Sequence, residues 1–475
     1  MKRYSTVIIG SGPCGYAAAL GLIGAGQDIA IIDFGESPDV ERTELRGSST
    51  IALKGEGERA RVFDYPSSMV VAGDFKHLPL SSARGGLSNI WGAGVLARSR
   101  TDCPELEPVF DGIEAGYGAL FAEIPVIGCD DEISKRFPWP TISAAGPCST
   151  RYSDFLSELH PDPQSDVLVG RARSAIDAAG ERCIRCGLCL HGCPRDLFFS
   201  AGTAIREFAS SDSCSLLTGP VTRLVPSRHE VVLELPFGKV RAERVILALG
   251  PVATPALLQR SGLVPKDLIV KDSAVFYTAL LNSRRSLGDE WDVTSCQAAL
   301  YSGRRGADDF QLALYESNPE YAERLAGVLP LLGGLLRPPE ILTQRLNAGI
   351  GFLDSSVSGT LRLRFVGGRT VVNRQTARGT WDVARRVMQR VNSRLRGLGI
   401  KPVPGAILVP PPGSGYHSGA SLPMGGDFVG FDGALRSSPL VYVADASSLP
   451  KVWAGSHTFT AMANAHRIAS SIRID

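Results

Sequence analysis

The chain has 475 residues, 44% of them hydrophobic and 21% charged, with a formal net charge of +2. That length is enough for two domains with sizeable cores, and the near-neutral balance provides no field to gather nucleic acid or an anionic membrane surface. The opening MKRYSTVIIG enters a strand at once, without a secretory leader, and the ten cysteines are clustered or scattered singly instead of spaced as a disulfide frame; both features fit a reducing, cytoplasmic setting.

The first predicted element is a strand. Val7-Ile8-Ile9 is β-branched and runs into Gly10-Ser11-Gly12-Pro13-Cys14-Gly15, then into the helix-prone YAAALGLIGAG, and residues 28–33 (DIAIID) form a second strand. Strand, G-x-G-x-x-G, helix, strand and acidic residue within about 30 residues make a dinucleotide-binding fingerprint. Gly10 permits the tight turn, Gly12 lets backbone approach a diphosphate, and Gly15 lets helix pack on strand. The amides at the helix start then receive the anion. Asp33, about 20 positions beyond the glycines, is placed to accept from adenosine ribose hydroxyls and disfavours a 2′-phosphate. The motif by itself leaves FAD and NAD open.

Cys183, Cys186, Cys189 and Cys193, followed by Pro194, form a C-x-x-C-x-x-C-x-x-x-C-P run, the spacing with which bacterial ferredoxins hold iron-sulfur clusters. Such a cluster carries single electrons. Beside a two-electron cofactor it indicates an enzyme that oxidises a substrate and passes the electrons on one at a time. A structural zinc knuckle and a redox dithiol are the alternatives. In two-cluster ferredoxins the fourth cysteine serves the other cluster, and this chain has a single run. A 4Fe-4S cluster therefore uses Cys193 in an altered geometry or recruits Cys148 or Cys214, and a three-cysteine 3Fe-4S cluster also satisfies the spacing.

Further along, residues 230–235 (EVVLEL) read as a strand, residues 245–249 as a buried strand ending at Gly250, and ATPALLQRSG as a helix. A strand that rejoins the sheet after a long insertion favours FAD and implies a nucleotide domain divided in sequence. Residues 325–336 (LAGVLPLLGGLL) are apolar, yet shorter than the roughly 20 residues of a spanning helix and broken by Pro330 and Gly333-Gly334. No transmembrane segment is expected; the stretch reads as buried, with a surface for a lipid-like substrate or partner as the alternative. After Trp381, Val383, Val387, Val391 and Leu395 recur at steps of four, an amphipathic helix with Arg385, Arg386, Arg390, Arg394 and Arg396 largely off the apolar stripe. A solvated basic face is the plain reading, and docking of an anionic substrate or acidic electron acceptor the sharper one.

The fingerprint, RGGLSNIWGAG (84–94), VILALGPVATPALLQRSG (245–262), GYHSGASLPMGG (415–426) and VYVADASSLPKVWAGSHTFTAMANAHRIA (441–469) together resemble the glucose-methanol-choline (GMC) oxidoreductase family over a minor part of the chain. The resemblance implies FAD, with Gly85, Gly86, Ser88 and Asn89 along the isoalloxazine, the backbone of Val221 near adenine, Asp445 at the diphosphate and ribityl chain, and Thr460 near the pyrimidine end of the ring. Some members attach FAD through a histidine just before the tryptophan of the first segment. Ile90 stands there, so non-covalent FAD is expected.

The resemblance also implies a histidine opposite a second histidine or an asparagine, both facing the flavin. His417 matches through HSGASLPMG. Aligning Thr458, Thr460 and Met462 with the family's N-P-T-x-T-x-M puts Ser456 at the asparagine and His457 at the proline, a departure that leaves either as partner of His417. The chemistry calls for such residues: moving a hydride from an alcohol carbon to a flavin requires the hydroxyl proton to leave, and imidazole is a base suited to neutral pH. A second polar side chain fixes the substrate oxygen.

The expected fold is α/β: a discontinuous Rossmann-like FAD-binding domain (1–96, 201–270 and 411–475) carrying an α+β substrate or cap domain (97–200 and 271–410) that holds the cysteine cluster at 183–193. The expected function is an FAD-dependent alcohol dehydrogenase, with a sugar-like or cyclitol substrate favoured on resemblance, whose electrons leave through an iron-sulfur cluster to an electron-accepting protein or quinone-like acceptor. An oxygen-using alcohol oxidase with zinc or no metal on the cysteines is one alternative. A non-catalytic flavin and iron-sulfur electron carrier is the other. His417 speaks against the carrier and the cysteine run against the oxidase.

Overall fold

A computed structural model describes residues 2–23, 28–35, 63, 65–73, 79–138, 140, 146–148, 150–157, 162, 164–179, 182–210, 214–282, 293–306, 308–316 and 345–472. The apolar stretch 325–336 lies outside the described residues.

Strands β1 (Arg3–Ile9) and β2 (Ile29–Asp33) pair in parallel, and Gly238–Leu247 joins the other side of β1, with Val7 opposite Val245. Ser438–Val443 extends that side and Ser215–Thr218 lies outside β2, both in parallel. The chain thus steps outward from β1 in one direction and later returns in the other, which opens a crevice beyond the strands' carboxyl ends. Val7, Ile8 and all of β2 are buried, as near-continuous apolar strands covered on both faces must be. A hairpin, Arg223–Pro226 with Val231–Leu235, is added antiparallel to Gly238–Leu247.

Helix α1 (Pro13–Leu22) begins with proline at its first turn, where no amide is needed. It packs on the last helix, Thr458–Ser471, which in turn packs on Phe110–Glu123. Glycines set these approaches: a Cβ on Gly21 would stand 2.7 Å from the carbonyl oxygen of His466, and one on Gly116 2.5 Å from that of Ala463.

A six-stranded antiparallel sheet runs Ile400–Leu408, Val275–Asn282, Leu346–Leu353, Phe310–Tyr315, Ala298–Ser302, Val167–Arg171. Helix Thr380–Gly397 covers it, burying Val383, Val387, Val391 and Leu395 as their spacing predicts. Arg385, Arg386 and Arg396 are exposed, and three arginines of the helix are ion-paired. Arg386 pairs with Asp308 at 3.0 Å and Arg390 with Asp166 at 2.7 Å, while Arg394, on the buried side, pairs with Glu132 at 2.6 Å.

A third sheet joins Ser418–Gly419, Asp267–Asp272, Thr360–Val366, Arg369–Gln375 and Val70–Ala72. Leu361, Leu363 and Val372 from its central hairpin, like Phe110, Ile113 and Leu120, belong to the same core as the parallel sheet, although the sequence reading groups 97–200 and 271–410 with the cap. Among the described residues no helix is long and apolar enough to cross a membrane.

Candidate functional site

The glycine turn shows three separate reasons for having no side chain. Gly10 has φ +103°, and a Cβ there would stand 2.5 Å from the carbonyl oxygen of Ala248; a Cβ on Gly15 would stand 2.0 Å from the oxygen of Gly10. On Gly12 it would meet nothing within 4 Å, because this residue faces a cavity. The intervening Ser11, which the motif treats as a free position, ties the turn together. Its amide and hydroxyl both donate to Asp33 Oδ2, at 2.7 and 2.5 Å, and its Oγ accepts the amide of Gly85 at 2.8 Å. Burial pushes the Asp33 carboxyl up, against the pull of these Ser11 bonds.

One cavity of about 390 Å³ reaches from this turn to the two histidines. Gly10, Gly12, Asp33, Gly86, Ser88, Val221, Gly250, Asp445, His417 and His457 all line it. Asp445 joins two strand ends: it accepts the amide of Gly250 at 2.8 Å, the hydroxyl of Thr254 at 2.5 Å and the amide of Ser447 at 2.8 Å. Its carboxyl, too, is pushed up by burial. Ser88 donates to the Gly85 carbonyl at 2.6 Å and accepts the amide of Ala201 at 3.1 Å.

Four of the expected cofactor residues stand behind the wall. Gly15 packs against Gly10, and Gly85, at φ +88°, lies against Gly202. Asn89 braces its own loop by donating to the carbonyls of Arg84 and Gly86, both at 2.9 Å. Thr460 is fully buried with its hydroxyl 2.7 Å from that of Tyr117, and it is Thr458 that lines the cavity.

His417 and His457 face one another with ring centroids 5.2 Å apart and planes at 85°. Phe352 stacks on His417 at 4.3 Å. Each Nδ1 is buried without a hydrogen-bond partner in the protein. Burial, then His457 and the Arg98 guanidinium, push the His417 pKa down to about 3. His457 is pushed down to about 4 by burial and Arg98, against the carbonyls of Ser418 and Gly455. Both rings are therefore neutral at neutral pH and able to accept a proton. Ser456, the other partner considered from the sequence, is not on the cavity wall; its amide donates to Gln311 Oε1 at 3.0 Å.

Two supports escape any motif. Arg98 is 1% exposed, ion-paired with Asp102 at 2.6 Å, donates to the Ala454 carbonyl at 2.9 Å and lies 5.1 Å over the Trp453 ring. Asp272 accepts the hydroxyl of Ser418 at 2.7 Å and the amide of Gly413 at 2.9 Å, gripping the His417 loop on both sides. Burial pushes its carboxyl up to about 6.

The wall fits a dinucleotide. Gly12 and Gly250 leave open space where a Cβ would meet no atom within 4 Å, buried carboxylates stand near both strand ends, and two acceptor-competent imidazoles face inward.

The four cysteines of the run, all half-buried, line a second, small pocket of about 20 Å³ with Pro147, Ile176, Ile184, Leu197 and Phe198. Left-handed backbone at Arg185, Gly187, Gly192 and Asp196 (φ +50°, +72°, +120° and +51°) turns the loop back on itself to bring them together. Burial raises the Cys183 and Cys186 thiols, the amides of Arg185 and Leu188 pull them back, and Cys189 and Cys193 raise them further. Cys148 and Cys214 are not on this wall. Among the described residues, no group of three or more His, Cys, Asp or Glu side chains could hold a metal ion, so the arrangement of Cys183, Cys186, Cys189 and Cys193 supports neither the expected iron-sulfur cluster nor the zinc alternative.

In comparison with solved structures, the chain resembles the crystal structure of pyridoxine 4-oxidase from Mesorbium loti, with a TM-score of 0.59 and 16% identity over 98% of this chain and 98% of that one. At this identity the likeness is one of fold. No protein-family profile and no curated protein sequence matches the chain.

Proposed function

We propose that this chain is an FAD-dependent oxidoreductase that converts an alcohol to a carbonyl compound, with His417 as base, His457 as its partner, and a cysteine-held iron-sulfur group as the exit for electrons. The observation that carries the reading is the pair of neutral imidazoles, each with an unpartnered buried Nδ1, set in the same cavity as the dinucleotide turn. The solved structure of like fold is, by its name, an oxidase of pyridoxine.

FAD would be held without a covalent bond, Ile90 standing on the wall near Trp91. Asp33 and Val221 would hold the adenosine, the Gly10–Gly12 turn and the start of α1 the diphosphate, and Gly86, Ser88 and Asp445 the remainder. When bound, it supplies a two-electron acceptor. His417 takes the hydroxyl proton at an imidazole nitrogen, and His457 hydrogen-bonds the same oxygen, holding the carbon in one orientation. Burial first, and the Arg98 charge after it, disfavour a lasting imidazolium, so the accepted proton is passed on instead of being stored.

The only carboxylates on the described wall are Asp33 and Asp445, and the paired arginines of helix Thr380–Gly397 are not on it, so a neutral alcohol suits this lining; a sugar-like or cyclitol one is favoured on the family resemblance alone. The acceptor is an external one-electron protein or a quinone-like molecule, and the setting is the cytoplasm, in keeping with ten cysteines of which none is disulfide-bonded. Reoxidation by oxygen is a second reading, favoured by the neighbour's name alone.

An anaerobic screen of neutral alcohols for loss of oxidised flavin absorbance tests the reading. His417→Ala should retain FAD while bleaching slows by about 10²- to 10⁴-fold. Unchanged bleaching would remove His417 from the mechanism, and peroxide formed in step with product in air would favour the oxidase.

A further inference from the structure

His417 and His457 stand on separate segments of the chain, and one cross-strand pair of the six-stranded sheet reaches both segments. Gln311 and Phe352 lie opposite each other where Phe310–Tyr315 pairs antiparallel with Leu346–Leu353. Residues opposed in this way project from the same face of a sheet, with Cβ atoms about 5 Å apart. Phe352 stacks on the His417 ring, with centroids 4.3 Å apart and planes at 27°. Gln311 is buried, and its Oε1 accepts the amide of Ser456, the residue before His457, at 3.0 Å. Gly455 permits that approach: it has φ +82°, and a Cβ on it would collide with Gln311 Oε1. Further ties hold the same segment to the same two strands. Asp309, just before the first strand, accepts from Arg136 Nη1 and Nη2 at 2.9 and 2.7 Å; Arg136 Nε donates to Asp102 at 2.7 Å, and Arg98, paired with Asp102, donates to the Ala454 carbonyl. Just past the second strand, the amide of Ser355 donates to the Val452 carbonyl at 2.9 Å, and its hydroxyl accepts the Val452 amide at 3.2 Å. Residues 452–456 are thus fastened to the sheet before the chain enters the last helix at His457. These ties cross between cores, since Phe310 and Leu312 belong to the core of the six-stranded sheet, whereas Trp453 and Phe459 belong to that of the parallel sheet.

We propose that Gln311 and Phe352 form one positioning unit that sets the separation and tilt of the His417 and His457 rings, an inference that rests on the reading of these histidines as base and partner. Gln311 is not on the cavity wall and acts through the Ser456 amide. Its side chain is a neutral acceptor, so it fixes the approach of His457 without adding charge beside the imidazoles. Phe352 acts on His417 directly, and because it also lines the cavity, Gln311 is the cleaner probe of positioning. Two rings that must address one hydroxyl group tolerate little displacement: a misplacement of about 1 Å costs on the order of 10²-fold in rate. Held by opposed residues of a single sheet, the rings keep their spacing even though they come from different segments.

The test uses FAD-loaded protein with labelled histidine rings and takes two readouts. The first is the nuclear Overhauser contact between the ring protons of His417 and His457, which needs no substrate. The second is the limiting rate of anaerobic flavin bleaching by an alcohol, together with the alcohol concentration that gives half of it. Gln311→Met, similar in length but without the acceptor, should weaken the ring contact at least about twofold and slow the limiting rate about tenfold, with the half-saturating concentration changed less than about twofold. Gln311→Glu keeps an acceptor oxygen at the same reach and should restore the contact. Combined with Phe352→Leu, Gln311→Met should cost less than the product of the two single losses, as members of one unit do. An undiminished contact or an unchanged limiting rate in Gln311→Met overturns the proposal, as does a Gln311→Glu protein without the contact or a double variant whose loss is the simple product. Should Gln311→Met not fold, Gln311→Ser, whose hydroxyl is too short to reach the Ser456 amide, is judged by the same two readouts. A wild type that no alcohol bleaches removes the functional reading instead, and the ring contact then decides the positioning by itself.

Discussion

The cofactor cavity and the cysteine pocket differ in how far the protein alone has finished them. In the larger one the buried carboxylates are already satisfied, Asp33 by Ser11 and Asp445 by Gly250, Thr254 and Ser447, so the backbone stands in its ligand-ready shape. In the smaller one the four cysteines line a pocket of about 20 Å³ with apolar neighbours, and burial raises two of the thiols. The first site resembles a mould, and the second a loop whose thiols do not converge on one metal-ion position. One should therefore survive loss of its cofactor, and the other should depend on what it binds.

The largest effect expected of that contrast lies within the glycine turn. Gly15→Ala places a Cβ 2.0 Å from the oxygen of Gly10 and should destabilise the fold by more than about 4 kcal/mol, seen as loss of soluble protein or of its cooperative melt. Gly12→Ala meets no protein atom within 4 Å, so it should melt like the wild type yet bind FAD at least about tenfold more weakly. Equal FAD affinity in Gly12→Ala would mean that the open space serves no ligand. For the cysteine pocket, Cys186→Ser should remove iron while leaving flavin content intact; retention of a full iron complement would show that this thiol is not a ligand.

Asp272 offers a pH test of the histidine loop. Its folded pKa of about 6 lies above its ordinary value of 3.8, so the stability associated with its protonation is fully present below about pH 4 and is lost as pH rises through 6. Asp272→Asn does not ionise, so it should gain on the wild type across that window by at most about 3 kcal/mol. A stability difference independent of pH between 4 and 7 would refute the assignment. The smallest effect belongs to the basic helix: Arg390→Glu should cost about 1 kcal/mol through Asp166 and leave acceptor kinetics unchanged at every ionic strength. A salt-dependent loss of acceptor turnover would restore the docking idea.

What was legible in the sequence was local. Gly10, Gly12, Gly15 and Asp33 announce themselves because the turn, the helix start and the second strand lie within one short stretch, and the cysteine run stands out because its four members are neighbours in the chain. The valines at steps of four placed one face of helix Thr380–Gly397 correctly, yet not Arg394, whose partner Glu132 lies 262 residues away. Ser11, Arg98 and Asp272 were invisible for the same reason: each acts through groups distant in sequence, with no periodicity to mark them. The hairpin Thr360–Val366 with Arg369–Gln375 reads as cap by position and packs with the parallel sheet because its inward leucines meet that core. His457 stood at a proline's place in the alignment, and only tertiary geometry turns it toward His417.

The parallel sheet is closed by Ser438–Val443, and the last helix, Thr458–Ser471, lies against α1. A ribosome releasing this chain has made the glycine turn more than 400 residues before the strand and helix that complete its surroundings. Asp445, His457 and Thr458 on the cavity wall are therefore made last, so a complete cavity is expected only after this strand and helix have joined.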